Sequence, residues 1–340
     1  MRHPESVAFV LGAGSSVPYG LPTGAELTRQ AVEFLSANAR SRYDDFLEQY
    51  EELNNFNSLA KLLTRSRTPT LDHYIQHNEK YSQELKMAIA GCLWNREGQA
   101  LDVDSLPEDD WIAWLYHEYL DSPSPDDFIG MPVCFLTFNY DRLPLALIAT
   151  MMSNTHMVPI EKCLNAIRQA PNEFSHCLET RFLHIHGELN APLSKYRNPS
   201  NGSIDASRLS NKNTDMEILS ESENTFKVLA EKILVIHEDT SEVNAARSRA
   251  RRALTCSDHV VFLGFGYHSA NIKRLGIMKP DMSDILPERS RIGGTGFSIR
   301  GNARDTLASK LPSQFVLGEE DESCREFLDR FLSELGATHR

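Results

Sequence analysis

The stretch Val7-Ala-Phe-Val-Leu-Gly-Ala-Gly-Ser-Ser16 runs from a short apolar strand straight into a glycine-rich turn. Val7 to Leu11 form a continuous β-branched and aliphatic run, the pattern of a strand buried on both faces. Gly12 and Gly14 remove side chains where the backbone turns tightly and a second group comes close. Ser15 and Ser16 follow, and a helical pattern begins after Pro22. Strand, glycine turn and helix N-terminus make a phosphate site when free backbone N–H groups point out of the turn. An ordinary strand-to-helix turn of an α/β domain accounts for this stretch equally well. The full G-x-G-x-x-G fingerprint is not met, because Val17 stands at the third glycine position. The Gly-Lys-Ser/Thr ending of a P-loop is absent, which argues against an ATPase of that kind.

Working outward, 340 residues are enough for one large domain with insertions or for two domains. A formal net charge of −12 argues against a surface dedicated to nucleic acid or anionic lipid, so neither direct nucleic-acid binding nor a membrane is expected. Glu5 precedes the first apolar run, which is short and ends in glycines, so no secretory signal is read there. No apolar span reaches about 18 residues, the length of a transmembrane helix. Cys92, Cys134, Cys163, Cys177, Cys256 and Cys324 include no Cys-x-x-Cys pair, so no zinc and no other metal is expected. Their wide spacing fits reduced thiols and a cytoplasmic location.

Thr23 stands as an N-cap with Glu26 in the capping-box position, opening a helix from Ala25 to about Ala39. Residues 41–129 carry repeated helical patterns and read as an inserted all-helical module for assembly or partner contact. Within it, Trp111, Trp114 and Tyr116 read as a buried helix face. Further strands are expected at Pro132–Phe138, Arg181–His186 and Asp258–Leu263, and a last one near Gly296-Phe-Ser-Ile. Asn190 to Asn224, rich in Ser, Asn and Gly, reads as a surface loop. Ala245 to Ala253 is a basic helix whose charges read as a solvated face. Glu319 to Leu335 reads as an acidic amphipathic helix. Strands ending in polar or glycine-rich turns, with helices between, predict a Rossmann-like α/β fold. It is an open, mostly parallel sheet, helices on both faces, formed by residues 1–40 and 130–340. Its ligand site lies at the carboxyl ends of the strands.

Those ends carry Gly12-Ala13-Gly14-Ser15, Gly20-Leu-Pro-Thr-Gly24, Thr137-Phe-Asn139-Tyr-Asp141, His186-Gly187 and Gly264-Phe-Gly266. In this order the set resembles the sirtuin family, specifically its zinc-less, sirtuin-like branch found in bacterial defence systems. The resemblance covers the α/β part and leaves the helical module outside. It implies that Gly12, Ala13, Gly14 and Ser15 line the pocket for the NAD pyrophosphate, with Thr23 close by. It implies that Asn139 acts beside the nicotinamide ribose, that Asp141 lies near the nicotinamide carboxamide, and that His186 is the catalytic histidine facing the ribose hydroxyls. Gly264 and Gly266 fall under the cofactor's ribose or phosphates, with His268, Ser269 and Asn271 as neighbours.

The residue types suit cleavage of the nicotinamide–ribose bond. An oxocarbenium-like centre needs a held ribose, an oriented water and a managed proton. Histidine titrates near neutrality, and asparagine donates and accepts at once. The chain departs from deacylating sirtuins by lacking two Cys-x-x-Cys pairs. It reads Pro22-Thr-Gly-Ala-Glu26 where they carry Asp-Phe-Arg, and Phe138 where they carry glutamine. These losses favour water as nucleophile, hence an NAD+ hydrolase releasing nicotinamide and ADP-ribose. The resemblance further implies an antiphage effector that depletes NAD. It is gated by homo-oligomerisation or by a separate sensor or ATPase/helicase-type partner. Two alternatives stay open: a non-catalytic subunit sensing NAD or ADP-ribose, and an NAD-dependent protein deacylase. Asn139 and Asp141 also serve as ordinary turn and cap residues. His184, on the same side of an extended strand as His186, reads as a hydrogen-bonded core residue.

Overall fold

A computed structural model describes residues 5–38, 54–68, 70–101, 107–190, 223–234, 241–267, 271–272, 275 and 291–336. Six parallel strands run in the order β3-β2-β1-β4-β5-β6. They are β1 (Val7–Leu11), β2 (Val133–Thr137), β3 (Phe182–His184), β4 (His259–Leu263), β5 (Arg291–Gly294) and β6 (Phe315–Leu317). β1 is central and wholly buried, pairing β2 on one side and β4 on the other, with Val7 opposite both Val133 and His259. Side chains alternate across a strand, so β1 feeds two cores. Val7, Phe9 and Leu11 face one; Ala8 and Val10 face the other. The fold class is therefore the expected α/β sheet of Rossmann type, layered on both faces.

The first face is packed by α1 (Gly24–Asn38), α2 (Asn54–Ser66), α3 (Leu71–His77), α4 (Ser82–Ala100), α5 (Trp111–Trp114), α6 (Pro125–Gly130), α7 (Leu143–His156) and α8 (Ile160–Arg168). Leu59, Leu63, Ile89 and Trp111 share one core with Phe9, so the described part of segment 41–129 forms a wall of the sheet. Trp111 and Tyr116 are buried, as read from their spacing. α9 (Glu223–Ala230) joins the same face, and α12 (Cys324–Gly336) closes it through Phe327 and Phe331. The second face takes α10 (Ser241–Cys256) and α11 (Gly301–Lys310). α10 turns Ala246, Ala250 and Ala253 inward and leaves Arg251 and Arg252 exposed, the solvated basic face expected. The expected loop at 190–224 lies almost wholly outside the described residues.

The last strands correct the sequence reading. The strand precedes Gly296: it is Arg291–Gly294, and residues 296–299 form a turn closed by the Ile299 amide on the Gly296 carbonyl at 2.9 Å. Gly293 and Gly294 sit in the strand because their neighbours demand it. A Cβ on Gly293 would lie 2.6 Å from the Phe331 ring, and one on Gly294 2.6 Å from Phe262 Cβ. Apolar patterning is silent on such a strand. β6, three residues on the sheet edge, has too short a pattern to read. The C-terminal helix begins at Cys324, five residues later than read.

Among the described residues no helix is long and apolar enough to cross a membrane. All six cysteines are free thiols.

Candidate active site

The strand order reverses between β1 and β4, one running outward to β3 and the other to β6. In open α/β sheets the crevice at such a reversal, outside the carboxyl ends, is where ligands bind. Here Gly12–Ser16 leaves β1 and Gly264–Tyr267 leaves β4 on neighbouring strand ends. The two loops touch backbone to backbone. Gly14 N–H donates to Gly264 O at 2.9 Å, and a Cβ on Gly14 would lie 2.8 Å from the Gly264 Cα. Gly264 itself adopts φ +56°, and a side chain there would run into the Ser15 amide. Gly12 is pressed likewise, its missing Cβ 2.6 Å from Gly264 O.

These contacts correct the expectation of free amides. Gly12 N–H donates to Leu263 O, Gly14 N–H to Gly264 O and Ser15 N–H to Gly12 O, each at 2.9 Å. The glycines serve the approach of two strand ends, and their amides are spent on it. What the crevice offers a ligand instead is small-residue backbone. Ala13, Gly14 and Gly264 are half-buried and Gly266 is exposed, with no large side chain of their own in the way.

Beneath that surface lies a buried polar cluster. Residues 13–19 form a 3-10 turn, which places Ser15 and Ser16 inward. The Asn139 side-chain nitrogen donates to Gly12 O at 3.1 Å, Ser16 Oγ at 3.1 Å and Ser15 Oγ at 3.4 Å. Gly12 O only accepts, so the amide must turn its NH2 inward and its oxygen the other way. Asn139 is held in turn by its own amide on Thr137 Oγ1 at 3.0 Å. Asp141 accepts from Ser16 Oγ at 3.0 Å and from the Leu143 amide at 3.2 Å, at the start of α7. Burial, and then the nearby Glu97 carboxylate, push the Asp141 carboxyl up to about 7. Glu97 comes from α4 and pairs with Arg142 through two contacts of 2.6 Å, both side chains buried.

His186 sits in the turn after β3, wholly buried, its ring edge-on to Phe138 with centroids 5.3 Å apart. Phe138 meets the Phe265 ring at 5.1 Å, so aromatic contacts link the ends of β2, β3 and β4. The His186 carbonyl accepts the Leu234 amide at 2.8 Å. A side chain at Gly187 (φ +72°) would collide with the Lys232 carbonyl, so the stretch after α9 lies directly over this turn. His184 Nδ1 lies 3.2 Å from the Asn139 carbonyl, the hydrogen-bonded role read for it, and Glu188 lies 3.6 Å from its Nε2. Burial pushes the His184 ring down, so it stays neutral at pH 7.

Gly12, Gly14, Ser15, Asn139, Asp141 and Gly264 thus come together. Thr23 stays outside the cluster, exposed, its hydroxyl accepting the Glu26 amide at 3.3 Å as the N-cap of α1. Asn271 is half-buried, and His268 and Ser269 lie outside the described residues. Reading the sequence missed Ser16, Glu97, Arg142 and Thr295, whose hydroxyl accepts the Gly264 amide at 2.9 Å. It also missed the Trp111 indole N–H, which donates to Ser15 O at 2.7 Å. Ser16 had a signal, as the second serine of the turn; Arg142 directly follows Asp141, and Glu97, Thr295 and Trp111 reach the site from distant segments. No protein-family model matches the chain, and no curated protein matches it.

Proposed function

We propose that this chain is an NAD+ hydrolase that cleaves the nicotinamide–ribose bond to give nicotinamide and ADP-ribose. The observation that carries the reading is the buried Ser16–Asn139–Asp141 cluster under the strand-order reversal, where this fold takes dinucleotides. The small-residue surface of Ala13, Gly14, Gly264 and Gly266 suits the close approach of a pyrophosphate. Asn139, its nitrogen committed inward, offers its side-chain oxygen to a water or a ribose hydroxyl. Asp141 carries or releases a proton near neutrality and meets the carboxamide. His186 takes the proton of the attacking water. With a positively charged leaving group already in the substrate, holding and proton management are the protein's share of the work.

His186 is buried beneath the Lys232–Leu234 stretch, which supports a resting enzyme opened by a partner or by assembly. The antiphage role and the sensor or helicase-type partner rest on the sirtuin resemblance, and the cytoplasmic location on the wide, irregular cysteine spacing. The same burial favours one second reading, a subunit that binds NAD or ADP-ribose without turning it over.

The test is nicotinamide and ADP-ribose release from NAD+ by the purified chain, with and without any protein encoded beside it. Asn139→Ala and His186→Ala are each expected to lower the rate by about 100-fold or more. Silence of the wild type in both settings, with measurable NAD binding, overturns hydrolysis and leaves the sensing subunit.

A further inference from the structure

The opposite edge of the sheet carries a second constellation. Cys256 ends α10, three residues before β4, and His176-Cys177 lie in the turn that leads into β3. Both positions precede strands, so they stand at the amino edge, away from the Asn139 cluster. One donor atom each from His176, Cys177 and Cys256 lies within 4.8 Å of the other two. His176 Nε2 is 3.0 Å from Cys256 Sγ, and Cys177 Sγ is 3.2 Å from the Phe174 carbonyl.

We propose that His176, Cys177 and Cys256 bind one Zn2+ ion, with a water in the fourth position. One imidazole and two thiols make a donor set that selects a borderline-soft cation and disfavours Mg2+ or Ca2+. Zn–S bonds of about 2.3 Å and Zn–N of about 2.0–2.1 Å put tetrahedral donors roughly 3.5–3.8 Å apart. The existing spacing brackets that, so shifts of about half an ångström bring the three into place. Cys177 is buried and His176 exposed, which leaves one side open to water. Burial and the neighbouring Cys256 push the Cys177 thiol up to about 11, so it is protonated until a cation displaces the proton. Arg252 sits close enough to favour the thiolate. The ion would join the β3 lead-in to the end of α10, 80 residues on in sequence. Adjacent ligands plus one distant ligand carry no Cys-x-x-Cys signature, which is why the sequence reads as metal-free. The site does not depend on the NADase reading.

The test is Co2+ titration of the full chain, reduced and freed of metal. Expected are one Co2+ per chain, a near-ultraviolet sulfur-to-cobalt charge-transfer band, and loss of that band on one equivalent of Zn2+. Cys177→Ser and Cys256→Ser each weaken metal binding at least tenfold and lower the band to half or less, and the double variant removes it, all with the far-ultraviolet circular dichroism of the wild type. Cys92→Ser, on α4, keeps both. A charge-transfer band of undiminished intensity in Cys256→Ser overturns the proposal, as does Co2+ uptake without such a band. So does a Cys177–Cys256 disulfide in the isolated protein that, once reduced, takes up no metal.

Discussion

Two buried charged side chains, one at each edge of the sheet, have opposite surroundings. Arg181, at the amino edge, donates to four main-chain carbonyls, those of Phe128, Ile129, Met131 and Val133, at 2.7–3.0 Å. Its guanidinium also stacks 4.5 Å from the Phe128 ring centroid. The carbonyls of Phe128 and Ile129 lie in the last turn of α6, where a cation suits the helix dipole. Burial lowers Arg181 only to about 10, so it remains charged at pH 7. Asp141, at the carboxyl edge, receives two hydrogen bonds and faces Glu97, a group of its own sign. One buried charge is held by four acceptors and the other is opposed. The first belongs to stability; the second, raised toward neutrality in a crevice, has the character of a functional group.

Removing Arg181 breaks the comparison most severely. Arg181→Ala takes the side-chain donor from four carbonyls, of which those of Phe128 and Met131 keep a main-chain donor, and empties a fully buried site. About 3–5 kcal/mol of stability is expected to go, at every pH from 5 to 9. Denaturant unfolding reads it; a loss under 1 kcal/mol would remove the distinction.

Asp141 predicts a pH signature instead. The folded carboxyl keeps its proton to about 7, while the unfolded one releases it near 3.8. Between these values the unfolded chain binds fewer protons, so stability falls as pH rises, and the penalty is complete above about 7. The distance between the two values bounds that penalty at about 4 kcal/mol. Asp141→Asn is expected to remove the slope, making the variant about 2 kcal/mol more stable than wild type at pH 8 and equal to it at pH 4. Parallel pH profiles would contradict the opposed-charge account.

Glu97→Gln sharpens the contrast, because it removes the opposing carboxylate and with it the countercharge that Arg142 holds. The midpoint of the Asp141-dependent step is expected to move down by about one pH unit, at a cost of about 2 kcal/mol. An unmoved midpoint would assign the whole shift to burial.

The smallest effect is expected where β1 begins, at the amino edge. Ser6→Ala loses hydroxyl contacts with Asp258 at 2.8 and 3.0 Å. About 1 kcal/mol, read by denaturant unfolding, is the expected cost.

What the sequence disclosed divides along the same physical line. β1, β2 and β4 are legible as five-residue runs buried on both faces that end in polar or glycine-rich turns, and the three-residue β3 from the His186-Gly187 turn that follows it. β5 escaped because its glycines answer to Phe331 and Phe262, partners that no local pattern names. Asn139 and Asp141 stand out as polar residues closing an apolar strand. Glu97 does not, being one acid among many on a helix, and only the fold brings it beside Asp141. The glycine turn was legible as a place of close approach, but the approaching group in the structure is the Gly264 backbone.

The position of β1 has a consequence for how the chain is made. Of the six strands, the first to leave the ribosome is the central one, and the partner on one of its flanks arrives late. Ser6 waits for Asp258, 252 residues later. At about 5–20 residues per second, synthesis holds that interval open for on the order of 10–50 s. For the first half of it both edges of a strand apolar on both faces are unpaired, and after β2 emerges one edge still is. Holdase chaperones that bind short aliphatic segments therefore have a defined target in the nascent chain, Val7–Leu11, until β4 emerges.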